Sequence, residues 1–358
     1  MKQNGELRKA ILIFLGLILV ILFYFVLQKL DIVDIGGYFS KKTIERQDDK
    51  LLIGFSLGTL KEERWLKDRD ILIAKVREMG ADIIVQNANN DDQDQLKQVR
   101  YLLEQNIDVL IIVPNDLEKA ASAVELAKRQ GVKVISYDRL VLKSNADLYI
   151  SFDNEKVGEY MAEYVLEKIE NKGNILIVNG ANRDHNTKMI KQGYDKVLDG
   201  RIKDGSIEIL AEEWADNWMK EYAFDLTVKA IQEGKELDGI IAGNDSLAEG
   251  AIEALSEHRL AGKVYVVGQD ADLSACQRIV EGTQLMTVYK PIEKLAGETA
   301  RLAVMLARGE NLKIKKTIYD GRFDIPYFEL EPTAVDRDNI DSTIIKDGFH
   351  MKEEVYRN

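Results

Sequence analysis

The sequence predicts an α/β protein, with two doubly wound parallel-sheet lobes preceded by one N-terminal transmembrane helix. Three observations carry this. Short apolar runs recur along the chain, each followed by an amphipathic stretch. The alternation passes through two series of similar length, with no short-period repeat. Ahead of both stands "AILIFLGLILVILFYFVL", residues 10–27, eighteen residues without a charge in a chain that is 31% charged.

The apolar run comes first in the chain. At ~1.5 Å per residue it reaches roughly 27 Å, enough for a bilayer core. A cleavable signal has a shorter apolar region, of about 7–15 residues, and then a small-x-small site. Here Gln28, Lys29, Leu30 and Asp31 follow, and the nearest small pair is Gly36 and Gly37. A lipid anchor needs a cysteine just after the run, but the only cysteine is Cys276. A signal peptide with an unusual cleavage site is the alternative to an uncleaved anchor; the anchor is the reading adopted. Lys2, Arg8 and Lys9 precede the run against a single acid, Glu6. That bias predicts a single-pass protein of the cell membrane, with residues 1–9 as a cytoplasmic tail too short to fold and the remainder extracytoplasmic. Residues 28–50, ending "KKTIERQDDK", read as a charged linker.

The first series follows. Its strands are "LLIGFSL" (51–57), "ADIIVQNA" (81–88), "DVLIIVP" (108–114) and "VKVISYD" (132–138). Leu66, Ile71, Ala74 and Met79 lie near helical spacing in the first gap, and "LEKAASAVELAKRQG" (117–131) ends on a glycine stop. After "LYISFD" (148–153) a second series brings strands at 174–180, 206–215, 238–244, 263–270 and 285–290, with helices such as 155–169 and 245–259 between them. Such βαβ alternation implies parallel sheets covered on both faces. The net charge of −12 argues against a nucleic-acid partner, and one cysteine allows no intrachain disulfide.

Ligands of open α/β sheets bind beyond the carboxyl ends of the strands. Asp138 and Arg139 stand there, as do Asn244 and Asp245, Gln269 and Asp270, and Lys290. A loop after 174–180 carries Arg183, Asp184, His185 and Asn186; Arg64 and Trp65 open the first long helix, and Trp218 follows 206–215. Singly, each Asp or Asn is as well read as a helix cap, and each Trp as a core anchor. Together they form an inventory suited to a hydroxyl-rich ligand: carboxylates accept, Arg and Lys donate, Asn does both, and indoles cover C–H faces. No metal-ligand spacing or nucleophilic triad is present. Asp270 and Asp272 read as one contact and one cap rather than as a catalytic pair, so neither an enzyme nor a cofactor is expected.

Over about residues 51–350 the chain resembles the D-xylose-binding proteins, within the type I periplasmic binding proteins. The resemblance rests on "ERWLKDRD" (63–70), "YDRL" (137–140), "YISFDNEKVGE" (149–159), "GNDSLAEGAI" (243–252), "GQDADL" (268–273), "GTQLMTVYKP" (282–291) and "IIKDGFH" (344–350). It implies two lobes joined by three crossings and closing on a sugar: lobe 1 from 51–152 and 291–318, lobe 2 from 153–290 and 319–350. It also implies sugar contacts at Arg64, Trp65, Asp138, Arg139, Asp184, Asn186, Trp218, Asn244, Asp270 and Lys290. A repressor on the same lobes would need a basic helix-turn-helix where the apolar run stands. Joined to the expected anchor, the resemblance predicts a D-xylose sensor that presents its closed lobes to the outer domain of a histidine kinase or chemoreceptor. The alternative is the receptor of an ABC-type permease.

Overall fold

A computed structural model describes residues 50–357. The expected tail, transmembrane segment and nearly all of the linker lie outside the described residues. Among those described, no helix is long and apolar enough to cross a membrane.

The first series forms β1 (Leu52–Leu57), α1 (Glu63–Glu78), β2 (Asp82–Asn87), α2 (Asp92–Glu104), β3 (Val109–Val113), α3 (Ala121–Arg129), β4 (Lys133–Tyr137) and β5 (Leu148–Phe152). The second forms α4 (Asn154–Lys168), β6 (Gly173–Asn179), α5 (His185–Lys203), β7 (Ile207–Trp214), α6 (Glu221–Gln232), β8 (Gly239–Ala242), α7 (Asp245–Glu257), β9 (Tyr265–Gln269), α8 (Leu273–Glu281) and β10 (Met286–Tyr289). There follow α9 (Ile292–Ala307), β11 (Thr317–Tyr319), β12 (Asp324–Leu330), β13 (Thr333–Val335) and α10 (Lys352–Tyr356).

Two sheets result, one per lobe. The first runs β11-β12-β5-β4-β3-β1-β2 and the second β13-β10-β9-β8-β6-β7. Only the added edge strands, β11 against β12 and β13 against β10, pair antiparallel. Central β3, "VLIIV", is buried at every position. A continuous apolar run is what a strand covered on both faces requires. Ile111 and Val113 pack with Leu72, Val76 and Leu295 of α1 and α9 on one face. Leu110 and Ile112 meet Leu102 and Val124 of α2 and α3 on the other.

The chain passes between lobes after β5, after β10 and after β12. The last passage corrects the expected division at 318/319. β12 lies parallel to β5, from Tyr327 opposite Tyr149 to Leu330 opposite Phe152. Residues 319–330 therefore belong to the first lobe, and the chain leaves it between Leu330 and Thr333. This pairing joins segments about 180 residues apart, which no local pattern announces.

The C-terminal segment returns to the second lobe, where Ile340, Ile344 and Val355 pack on Ala271, Cys276 and Tyr289. It also reaches the first lobe. Lys67 Nζ on α1 donates to Phe349 O at 3.3 Å, lies 3.2 Å from His350 Nδ1 and stands 4.0 Å above the Phe349 ring. His350 Nε2 is 2.8 Å from Ala271 O, so Nε2 carries the proton and Nδ1 accepts from Lys67.

Candidate functional site

The carboxyl ends of both sheets face one another, and a partly open cavity lies between them. All ten residues expected at the site line it: Arg64, Trp65, Asp138 and Arg139 from the first lobe, and Asp184, Asn186, Trp218, Asn244, Asp270 and Lys290 from the second. Glu62, Ile190 and Gln269 line it too and were not among the expected contacts. Gln269 had a visible sign, its place at the end of a strand. Glu62 had none, being one of three consecutive charged residues before Arg64.

Arg64 organises the floor. Its Nη2 is 3.0 Å from Asp138 Oδ1, its Nε is 3.3 Å from Asp68 Oδ2, and its Nη1 reaches across the lobes to Asp270 Oδ1 at 3.3 Å. Lys290 Nζ lies 2.8 Å from the same Asp270 oxygen. Arg139 Nε meets Asp184 Oδ2 across the cleft at 2.8 Å. Asn186 Nδ2 donates to Asp138 O at 2.8 Å, a third bond between lobes. Behind Arg64, the Tyr137 hydroxyl donates to buried Asp68, which sequence reasoning did not single out. The Arg64 and Arg139 guanidinium groups lie 4.5 and 5.1 Å from the Trp65 ring centroid.

The electrostatics follow from these distances. Burial works against the charge on Arg64, but Asp138, Asp68 and Asp270 prevail and hold its pKa well above the ordinary value. Burial also pushes Asp270 up, yet Lys290 and Arg64 prevail and keep it below the usual carboxylate range. In Asp68 burial prevails, and its carboxyl is pushed up to about 6.

The backbone shows where the fold yields to the site. Asp138 (φ 61°), Asp270 (φ 94°) and Trp218 (φ 56°) all occupy left-handed conformations. Such residues cost of order 1–3 kcal/mol each and persist where their surroundings hold them. The Trp218 indole rests on bare backbone: a Cβ on Gly180 would lie 2.1 Å from the ring. Capping and lining are not alternatives here. Asn244 Oδ1 accepts from Leu247 N at 2.9 Å and Asp184 Oδ1 from Asn186 N at 3.0 Å, while both residues face the cavity. Asp272 departs from its expected capping role: it occupies the N-cap position of α8 without a side-chain cap bond. Among the described residues no group of three His, Cys, Asp or Glu is placed to hold a metal ion.

The site can donate, accept and stack at once, which is what binding a polyhydroxylated ring without chemistry requires. Comparison with known proteins agrees. A family model described as "Periplasmic binding protein domain" matches residues 53–311. The D-xylose-binding periplasmic protein of Haemophilus influenzae is 44% identical over 307 residues, covering 86% of this chain and 92% of the relative. Its namesake from Escherichia coli is 41% identical over 304 residues, covering 85% of this chain and 92% of the relative. Among solved structures, a carbohydrate transporter solute-binding protein from Chloroflexus aurantiacus, in complex with D-glucose, superposes with a TM-score of 0.80 at 27% identity, covering 86% of this chain and 98% of that one. These findings correct one expectation. The relatives above 40% identity are named as periplasmic proteins, which overturns the single-pass cell-membrane placement read from residues 10–27.

Proposed function

Because this chain belongs to the periplasmic binding protein family, we propose that it is a periplasmic D-xylose receptor that hands its sugar to an ABC-type permease. The family binds sugars and does not transform them, so the chain is not an enzyme. The observation that carries the reading is a cavity between the lobes in which all ten expected residues meet, each lobe bringing charged and aromatic groups. A buried pyranose must have its hydroxyls paired, since an unpaired buried donor or acceptor costs about 1–3 kcal/mol. Asp138 and Asp270 are placed to accept, Arg64, Arg139, Lys290 and the Asn244 amide nitrogen to donate, and Trp65 and Trp218 to cover the ring's C–H faces. A wall closed against C5 of the bound sugar would exclude hexoses by overpacking, because xylose lacks their exocyclic CH₂OH. The bonds between Arg64 and Asp270 and between Arg139 and Asp184 join opposite lobes, so they form on closure, and sugar shifts the population toward that form.

Of the two output readings, transport has the better support. Relatives at 41–44% identity are D-xylose-binding periplasmic proteins, and solved structures at 25–27% identity are transporter solute-binding proteins. Titration calorimetry should give one D-xylose site per chain without metal dependence, and deletion of the protein should abolish xylose uptake. Tighter binding of glucose than of xylose, or undiminished uptake, defeats the proposal.

A further inference from the structure

We propose that Glu62 and Gln269, one from each lobe, are two further acceptors for ligand hydroxyls. The inference rests on the sugar-binding reading and adds to its ten contacts.

In the cavity wall the other carboxylates already have cations: Asp138 has Arg64, Asp184 has Arg139, and Asp270 has both Lys290 and Arg64. Glu62 Oε2 and Gln269 Oε1 differ. Both atoms are buried, neither has a hydrogen-bond partner among the described residues, and both residues line the cavity. Three further buried side-chain atoms lack partners, on Gln98, Asn154 and Thr187, and none of those residues lines it. Folded proteins leave few buried acceptors unmet, and each one concentrated at a cavity calls for a donor that enters with the ligand. A hydroxyl is such a donor.

Local structure fixes which atoms are free. Gln269 Nε2 donates to Gly243 O at 2.6 Å, so the amide oxygen is the end left over. Glu62 stands at the N-cap position of α1 in extended conformation, yet its side chain caps nothing. Its backbone carbonyl accepts from Trp65 N at 3.1 Å, a bond that no side-chain substitution removes. A hydroxyl donating to the Glu62 carboxylate forms a charge-assisted bond, stronger than one to a neutral acceptor. Pure acceptors on both walls select for O–H over fluoro, methoxy or deoxy groups, none of which can donate.

The test is calorimetric titration of the full-length chain with D-xylose and with each monodeoxy-D-xylose, for wild type, Glu62→Ala, Glu62→Gln and Gln269→Leu. Glu62→Ala and Gln269→Leu should each weaken xylose binding roughly ten- to hundredfold. For each, the loss should vanish with one deoxy sugar, the one lacking the hydroxyl that the residue accepts. Glu62→Gln keeps an acceptor oxygen and should stay nearer to wild type. Xylose affinities within about twofold of wild type overturn the inference. So does an equal loss across all the deoxy sugars, which marks a structural role. A wild-type chain that binds no xylose overturns the proposed function, and this inference falls with it.

Discussion

Two groups of buried or half-buried carboxylates lie close together in this molecule and are partnered in opposite ways. Asp138 and Asp270 face the cavity against Arg64 and Lys290. Asp245 and Asp272 sit behind the strand ends of the second lobe. There Asp245 accepts from Gln284 Nε2 at 2.8 Å, Thr287 Oγ1 at 2.8 Å and Asp272 N at 3.1 Å. The nearby cation, Arg278, directs its Nη1 to Glu249 at 3.1 Å and its Nη2 to the Asp245 backbone carbonyl. Burial consequently pushes the carboxyls of this second pair upward, and Asp272 is raised further by its acidic neighbours, Asp245 first. In Asp270 the same burial is outweighed by Lys290 and Arg64. Burial favours the protonated acid; two cations in contact, Lys290 and Arg64, outweigh it at Asp270, whereas Arg64 alone does not at Asp68.

The largest break in this contrast comes from removing the cation. Arg64→Met leaves three carboxylates, Asp68, Asp138 and Asp270, without it. Denaturant unfolding at neutral pH should show a loss of about 3–5 kcal/mol, the usual result of breaking a buried ion pair from one side; a loss under about 1 kcal/mol would mean that the three carboxylates are not held by charge. Next is Asp270→Ala, which removes an acceptor and frees Lys290. Xylose affinity should fall by more than about 2 kcal/mol, and calorimetry that finds it retained moves Asp270 out of the site.

The second pair gives a smaller effect of the other sign. A carboxyl with a raised folded pKa stays protonated where the unfolded chain has lost its proton. Stability from such a group is full below the ordinary carboxyl range, near pH ~4, and is lost as pH rises toward neutrality. Asp270, held low, contributes stability above that range and loses it as pH falls through its folded pKa. Asp245→Asn should flatten the decline between pH ~4 and neutrality by up to about 1.4 kcal/mol per pH unit. Xylose affinity should hardly change, and an unaltered stability profile would show that Asp245 is ionised in the fold. The smallest effect belongs to Lys67→Ala. Its contact with the C-terminal segment is partly solvated, so sugar affinity should fall by about twofold to fivefold, within the range of exposed charged contacts. An unchanged affinity would show that the contact does not favour closure.

The strand-end residues Asp138, Asn244, Asp270 and Lys290 were legible because parallel sheets bring the ends of distant strands together, whereas the full set of ten is what the resemblance implies. A polar residue after "VKVISY" or "DGIIAG" is placed by topology before any side chain is positioned. Asp68 was hidden because it sits one turn into α1, in a run rich in charge where nothing distinguishes the buried acid from exposed Asp70. Glu62 was hidden for the same reason. The third crossing was misplaced because β12 becomes a strand only by finding β5, and a partner so remote in sequence leaves no trace in local periodicity.

The contact between Lys67 and the Phe349–His350 corner touches no part of the cavity, yet it joins the two lobes. It favours closure by the same amount whichever sugar is inside. Such a contact multiplies every affinity by one factor and leaves their ratios alone. The molecule therefore keeps two separate controls. On the proposed reading, residues around the cavity would choose the sugar, whereas the corner behind it would set the concentration at which half the receptors are filled. On that reading, substitution at Lys67 would shift the concentration at which the protein fills without changing which sugar it prefers.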